Sequence, residues 1–600
     1  MSRRLSILYP YVLGLLAGTS ELRAFATEVS HGAQYYGNET NLVSSEDLNS
    51  PFPYDFPNYK HLDNLFPMPA CNGLVLEEAT VDYLQNAMKE GQLTSTMIAL
   101  CYLQRIYQTN EYTNAILELN PDVLEIASTL DAEREVGQIR GPLHGIPFIV
   151  KDNIATKDKM ETTAGSWALL GSIVPRDAHV VARLRQAGAL LLGKATLSEW
   201  ADMRSSEYSE GYSARGGQAR SPYNLTVNPG GSSSGSAGAV TGNLCMFALG
   251  TETDGSVINP AERNALVGIK PTVGLTSRAG VIPESTHQDT VGTFARTVRD
   301  AVYTLDAIYG IDLRDNYTLG QEGKVLSGGY SQFLTNSRAL QNATFGLPWQ
   351  SFWTLASEEQ QASLLGLIEL IRGAGATVIN GTELPNYQTT VSPDGWNWDY
   401  GTTRGYPNES EFTYVKVDFY NNIKTYLAEL QNTDIKSLED IVQYNYDNDG
   451  TEGGTPNVQP AFASGQDSFL ASLATRGIMN STYYEALSFC QRSTREDGID
   501  AALKNNGRQL SALLVPPDVA QTYQIAAQAG YPMVTLPASV NSSTGMPFGL
   551  ALMGTAWSEA ELVKWASAIE DLQLKWNSTY GRSKPKWYGY KQRNIPVLNL

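Results

Sequence analysis

GGSSSGSAGAVTGNLCMFALGTETDGSVINPAERNALVGIKP, residues 230–271, is the stretch on which this chain turns. Taken alone, GGSSSGS has the composition of a flexible linker, because glycine and serine order poorly. The continuation argues otherwise: AGAVTGNLCMFALG is small and apolar throughout and suits close packing in a core, so ordered structure grips the turn. A glycine-serine turn feeding a helix also aims backbone N–H groups outward, which favours a developing negative charge. A second turn, GTETDGS, sets Ser256 among similar neighbours.

Upstream, GIPFIV (Gly145 to Val150) reads as a short apolar strand. Asp177 is placed to cap a helix whose inward face holds Val180, Val181 and Leu184; Gly188 ends it, and Ala189 to Leu192 makes the next strand. This β-α-β rhythm predicts an α/β fold, a sheet with some parallel pairing and helices packed on it. The rhythm returns where Ser357 and Gln360 predict a capping box for a helix burying Leu364, Leu365, Ile368 and Ile371, followed by a strand around Val378. ALLVPP (Ala512 to Pro517) opens a C-terminal part that contains GYPMVTLPA and a helix from Glu559 to Ile569. Between about 385 and 500 the composition turns aromatic and polar, with Trp396, Trp398, Tyr400, Tyr414, Phe419, Tyr420, Tyr483 and Tyr484, and predicts an inserted helical subdomain. Those aromatics either wall a substrate pocket or pack the insertion onto the body. Residues 27 to about 72, rich in Asn, Pro, Ser and Tyr without periodicity, read as an arm or extension ahead of a domain spanning 73–600.

The chain has 600 residues and is 42% hydrophobic, enough for a substantial core. Arg3 and Arg4, an apolar run from Leu5 to Ala17 and then Ala24-Phe25-Ala26 read as a secretory signal over residues 1–26. A membrane anchor needs about 20 uninterrupted apolar residues; this run is shorter and contains Pro10. Loss of the signal removes three arginines and one glutamate and moves the formal charge from −19 to −21. So acidic a chain is a poor polyanion binder, so nucleic acid is not an expected partner. Asn-x-Ser/Thr sequons at Asn38, Asn224, Asn316, Asn342, Asn380, Asn408, Asn480, Asn541 and Asn577 are candidate glycosylation sites in an exported chain. Cys71, Cys101, Cys245 and Cys490 allow three full pairings, and their wide spacing excludes a zinc-ribbon pattern. Cys245 sits in the apolar run NLCMFALG and suits a buried thiol, which leaves Cys71 and Cys101 as the first pair to test.

Gly231-Ser232-Ser233-Ser234-Gly235 is a literal G-x-S-x-G, the motif of the α/β-hydrolase elbow. That mechanism needs an acid and then a histidine after the serine. Of five histidines only His287 lies downstream, and the approach SPYNLTVNPG is no apolar strand, so this reading is disfavoured. The glycine-serine run, GTETDGS, INPAERNALVGIKPTVG and the upstream GIPFIVKDN together resemble the amidase signature family. The likeness extends to LLGKATLSEWADMRS (Leu191 to Ser205) and GYPMVTLPA, covering roughly residues 75–310 and 505–570. GTETDGS followed by VGLTSRAGVIPESTHQD looks most like the branch of bacterial peptide amidase and its plant and fungal relatives.

The resemblance implies an amidase signature fold: a mixed, twisted sheet covered by helices on both faces, with a catalytic core over 73–320 and 505–600. It assigns Lys151 as the base, Ser232 as the bridging serine behind a cis Gly231–Ser232 peptide, and Ser256 as the nucleophile. The amides of Thr253, Asp254, Gly255 and Ser256 would form the oxyanion hole, and Met203, Gly230 and Gly231 would touch substrate. The chemistry is coherent with these residue types. A serine attacks only when a base takes its proton, and lysine serves as that base only if its amine is neutral; burial behind Ile149 and Val150 would lower its pKa. Ser232 would relay the proton, and one oxyanion donor is typically worth about 2.7–4 kcal/mol.

The implied activity is hydrolysis of the C–N bond of linear carboxamides through an acyl-enzyme, with no metal and no cofactor, by a secreted enzyme whose partner is a small amide and which has no stable membrane anchor. Two alternatives are a glutaminase subunit of a tRNA-dependent amidotransferase, opposed by the secretory signal and acidic surface, and a non-catalytic binding protein, opposed by the intact Lys151, Ser232 and Ser256. The chain departs from the family's D-T-G-G-S-I-R at Asp254 and Ile258: a carboxylate enters the nucleophile turn and an arginine is absent. An Asp254 carboxylate would oppose an oxyanion unless it points away or meets a polar group of the substrate.

Overall fold

The computed structural model describes residues 65–505, 507–576, 580–594 and 597. The signal expected over 1–26, most of the extension, and the sequons at Asn38 and Asn577 lie outside the described residues. Eleven strands build one sheet: β1 (Ile116–Leu119), β2 (Pro147–Lys151), β3 (Leu190–Ala195), β4 (Phe247–Glu252), β5 (Val267–Lys270), β6 (Thr290–Ala295), β7 (Thr344–Leu347), β8 (Thr377–Asn380), β9 (Ala512–Val515), β10 (Met533–Val540) and β11 (Pro547–Met553). They lie in the order β1-β3-β2-β4-β6-β5-β10-β11-β9-β7-β8. β3, β2 and β4 run parallel, as do β9, β7 and β8; every other neighbouring pair is antiparallel. The sheet is therefore mixed, as expected.

Successive residues of a strand point to opposite faces. β2, β4 and β6 are buried at every position, so helices cover both sides of the centre. His179–Gln186, Val298–Ile308 and Glu559–Lys575 pack together in one layer, and Ser95–Thr113, Ser234–Thr241 and Ile258–Glu262 pack together in another. His179–Gln186 buries Val180, Val181 and Leu184 as its periodicity predicts. Asp177 does not cap it. Ala178 occupies the cap position, and the Asp177 carboxylate instead accepts from Lys157 N at 2.7 Å and pairs with Arg185 at 3.2 Å. One residue too far from the helix start, its side chain is taken by tertiary partners. The capping box at Ser357 and Gln360 is present, and its helix buries Leu367 where Leu365 was expected.

The helix Ser234–Thr241 shows packing overriding composition. All eight of its residues are buried, although glycine in a helix interior costs about 1 kcal/mol relative to alanine. At Gly235 a Cβ would stand 2.4 Å from Thr196 O and 2.5 Å from Ala115 O, so only glycine lets this helix lie so close to the body. What reads as a linker is a tightly held core element.

Between β8 and β9 the chain runs through the helices Glu411–Glu429, Leu438–Asp447, Asp467–Thr475 and Ser481–Thr494. Tyr414, Phe419 and Tyr483 are buried, Phe419 stacks on Phe469 at 5.4 Å and Trp398 on Phe412 at 4.7 Å. Most of the aromatics singled out in this segment therefore pack rather than wait for a ligand. Buried Arg204 ties the segment to the body, pairing with Glu199 and, at 3.3 Å, with Glu452. Cys71 and Cys101 are disulfide-bonded, and Cys245 and Cys490 are buried thiols.

β2 and β4 are parallel neighbours in register, Phe148 opposite Phe247 and Val150 opposite Leu249. Their C-terminal ends therefore reach the same edge of the sheet, where open α/β sheets characteristically bind ligands. Lys151 ends the first and Thr251-Glu252 ends the second.

Candidate active site

Lys151 Nζ donates to Ser232 Oγ at 2.7 Å, to Thr251 Oγ1 at 3.0 Å and to Thr251 O at 3.4 Å. Ser232 Oγ donates to Ser256 Oγ at 2.9 Å. Amine, hydroxyl and hydroxyl thus form one continuous chain, with Lys151 and Ser232 fully buried and Ser256 5% exposed. Asn153 Nδ2 donates to Thr251 Oγ1 at 2.9 Å, so the motif IVKDN supplies both the amine and a fixed partner for the threonine beside it.

Burial pushes the Lys151 amine down to about 8, against the pull of the Glu284, Asp202, Glu210 and Glu252 carboxylates, which favour the ammonium. Lys194 and Lys270 are buried as completely. Lys194 Nζ donates to Ile154 O and, at 3.1 Å, to Thr162 Oγ1, whereas Lys270 Nζ donates to Tyr531 O at 2.6 Å. Of these three lysines, Lys151 is the one that meets a serine hydroxyl.

The loop before Ser232 is held on every side. The Gly231–Ser232 peptide is cis. Ser232 O accepts from Ser198 N at 3.0 Å. Gly230 N donates to Asn228 Oδ1 at 2.8 Å and Gly231 N to Asn259 Oδ1 at 3.1 Å. Asn259 Nδ2 donates in turn to Asp518 Oδ1 at 2.7 Å, whose other oxygen accepts from Arg263 Nε at 3.0 Å. Asn259, just beyond the Ser256 turn, is thus a brace that ties the two serine loops together. Glu262 Oε1 accepts from Gly549 N at 2.9 Å and fastens the same helix to β11.

Glu252 Oε2 accepts from Val257 N at 2.7 Å and Ile258 N at 2.9 Å, pinning the chain directly after Ser256. Gly255 has φ +77°, and a Cβ there would come within 2.6 Å of the Tyr523 ring. Among the described residues the amides of Asp254 and Ser256 donate to no protein acceptor. The Asp254 carboxyl turns toward the helical segment, where Oδ2 accepts from Trp396 Nε1 at 2.8 Å. Burial and the neighbouring Glu411 carboxylate push its pKa well up, which favours the uncharged form.

Trp200, Ala201 and Asp202 are three consecutive non-glycine residues in the left-handed region, at φ 53°, 54° and 79°. Such conformations persist only where the surroundings enforce them, and they cluster at functional sites. They bring the Asp202 carboxyl within electrostatic reach of Lys151, and the Met203 side chain that follows is fully buried. His287 is engaged by Tyr317 at 2.8 Å and Tyr483 at 3.1 Å, apart from both serines. Among the described residues no three His, Cys, Asp or Glu side chains gather as a metal-ligand set.

Thr251, Ser198, Gln288 and Glu411 were not singled out from sequence, and Trp396 was named there only among the aromatics of the helical segment. Ser198 and Gln288 lie inside stretches quoted for the family resemblance, LLGKATLSEWADMRS and VIPESTHQD. Trp396 and Glu411 come from the helical segment and have no local signature.

A sequence profile of the family described as Amidase matches residues 98–447. The chain is 58% identical over 565 residues to a candidate amidase of Schizosaccharomyces pombe, covering 93% of this chain and 94% of that protein. It is 41% identical over 503 residues to a candidate amidase of Arabidopsis thaliana, covering 83% and 91%. The crystal structure of native peptide amidase from Stenotrophomonas maltophilia superposes with a TM-score of 0.74 at 37% identity, over 85% of this chain and 98% of that one.

Proposed function

The chain belongs to the amidase family, and from that premise we propose that it hydrolyses linear carboxamides through an acyl-enzyme on Ser256, with Lys151 as base and Ser232 as relay. The observation that carries this reading is the buried chain Lys151–Ser232–Ser256, with links of 2.7 and 2.9 Å. When the amine is neutral the same two contacts run in reverse: Ser256 donates to Ser232 and Ser232 to Lys151. As Ser256 Oγ attacks the carbonyl carbon, its proton passes to Ser232 and the Ser232 proton to Lys151. The N–H groups of Asp254 and Ser256, which no protein acceptor uses, are available for the oxyanion, with Thr253 and Gly255 completing the turn. Collapse breaks the C–N bond, and the stored proton returns through Ser232 to the leaving amine. Water then attacks the ester by the same route, releasing a carboxylate and restoring Ser256.

This mechanism fixes the sign of the pH dependence. The base must be unprotonated, and burial holds Lys151 at about 8. For ammonia release from a panel of aliphatic, aromatic and C-terminal peptide amides, kcat/KM is expected to rise tenfold per pH unit below about 8 and to level off above it. A profile flat from pH 6 to 9 would exclude Lys151 as the titrating base.

We also propose that the chain enters the secretory pathway. The pattern over residues 1–26, the Cys71–Cys101 disulfide and the exposed sequon asparagines Asn316, Asn342, Asn380 and Asn480 support this. Asn224, by contrast, donates through Nδ2 to Thr544 O at 2.8 Å and is half-buried, which disfavours a glycan there. Treatment of the native protein with an N-glycosidase is expected to increase its gel mobility, and its N-terminus should begin at Thr27. An unprocessed, unglycosylated chain would rule out export.

A further inference from the structure

The nucleophile turn is held from behind by a buried polar cluster that the mechanism above does not use. Gln288, 1% exposed, donates from Nε2 to Thr253 O at 3.0 Å and to Glu411 Oε1 at 2.7 Å, while its Oε1 accepts from the Tyr414 hydroxyl. The amide orientation follows from these partners: a flipped side chain would set its oxygen against two acceptors. Asp289, the next residue, accepts from Thr253 Oγ1 at 2.7 Å, and from Ser285 N at 2.9 Å and Glu284 N at 2.8 Å. Two consecutive residues therefore grip Thr253 by its backbone and its side chain.

Glu411, 2% exposed, faces the Asp254 carboxyl and three glutamine amides. Besides Gln288 it accepts from Gln524 and, at 3.0 Å, from Gln528, both on the helix Thr522–Ala529. Each partner donates to a carboxylate, the stronger kind of hydrogen bond. The cluster thus draws on the helical segment, the Glu284–Asp289 loop and the C-terminal part of the chain.

In a trans peptide the C=O and the following N–H lie in one plane and point in opposite directions. A donor fixed on Thr253 O therefore aims the Asp254 N–H the other way, and polarises the peptide so that this N–H becomes a better donor. We propose that Gln288, locked in place by Glu411 and Tyr414, is a positioning residue that sets the Asp254 N–H as an oxyanion donor. This inference rests on the hydrolase reading of Ser256.

Because the oxyanion exists only in the transition state, loss of this positioning lowers kcat and spares KM. The Gln288→Met variant keeps side-chain length and removes every polar contact. It is expected to lower kcat by about 10- to 100-fold, with KM within about threefold. Phosphonylation of Ser256 by a fluorophosphonate probe, which displaces fluoride, should slow in parallel. Tyr414→Phe removes one hydroxyl, leaves the Gln288 donors in place, and is expected to lower kcat by about two- to fivefold; it serves if Gln288→Met does not fold. A folded Gln288→Met with wild-type kcat and labelling rate overturns the assignment, as does wild-type kcat in Tyr414→Phe should it be the variant that folds. A wild-type protein inert to both amides and the probe removes the hydrolase reading and this assignment with it.

Discussion

Alanine at position 256 is expected to reduce kcat by about 10⁶-fold, the scale on which removal of a serine nucleophile acts in hydrolases that work as a concerted unit. Ser256 Oγ ends the hydrogen-bonded chain, 2.9 Å from Ser232, in the turn whose Asp254 and Ser256 amides donate to no protein acceptor among the described residues. With it gone, Ser232 lies one hydrogen bond, 2.9 Å, behind the Ser256 hydroxyl position, and the Lys151 amine is fully buried beyond that. Stability should fall by only about 1 kcal/mol, one hydrogen bond in a mostly buried site. The measurement is ammonia release together with mass spectrometry after fluorophosphonate treatment. Wild type should carry the adduct on the peptide containing Ser256 and the variant should carry none. Turnover or labelling that survives in Ser256→Ala would move the nucleophile elsewhere.

Lys151 gives the second large effect, and the choice of substitution reveals its role. Lys151→Met preserves the length of the side chain and removes the base, so kcat/KM should drop about 10²- to 10⁴-fold, the usual contribution of a general base. The rise in activity through pH 8 should vanish with it, because that limb belongs to the amine. Lys151→Arg should be equally inactive, since a guanidinium keeps its proton at any working pH. A lysine needed only as a positive charge predicts the reverse, with arginine active and methionine dead. Methionine is expected to fold at least as well as arginine, because a cation at this fully buried position is stripped of bulk water. Active Lys151→Arg would sink the base assignment.

Local composition was enough for part of this protein. The periodicity over His179–Gln186, the capping box at Ser357 and Gln360, and the apolar strands at β2, β3 and β9 depend on side chains three or four residues apart or on short continuous apolar runs, and such patterns survive in a linear chain. Lys151, Ser232 and Ser256 were legible for a related reason: each sits in a short motif, and the motifs occur in order with the resemblance to guide them.

What the linear chain does not contain is contact. Asp177 has the chemistry of a helix cap and spends its carboxylate on Lys157 and Arg185, partners that only the fold brings near. Asp254 looked like a charge set against the oxyanion; the tertiary structure turns it to Trp396 and beside Glu411, 142 and 157 positions along the chain, where burial pushes its pKa well up. Gln288 acquires its place on Thr253 only when a loop, the helical segment and the C-terminal part converge. The sequence by itself determined which chemical groups exist and which short elements carry them. The tertiary structure decided which of those groups lose water and what they face, and in a buried site those two conditions set protonation and hydrogen-bond direction, and with them the reactivity of Ser256.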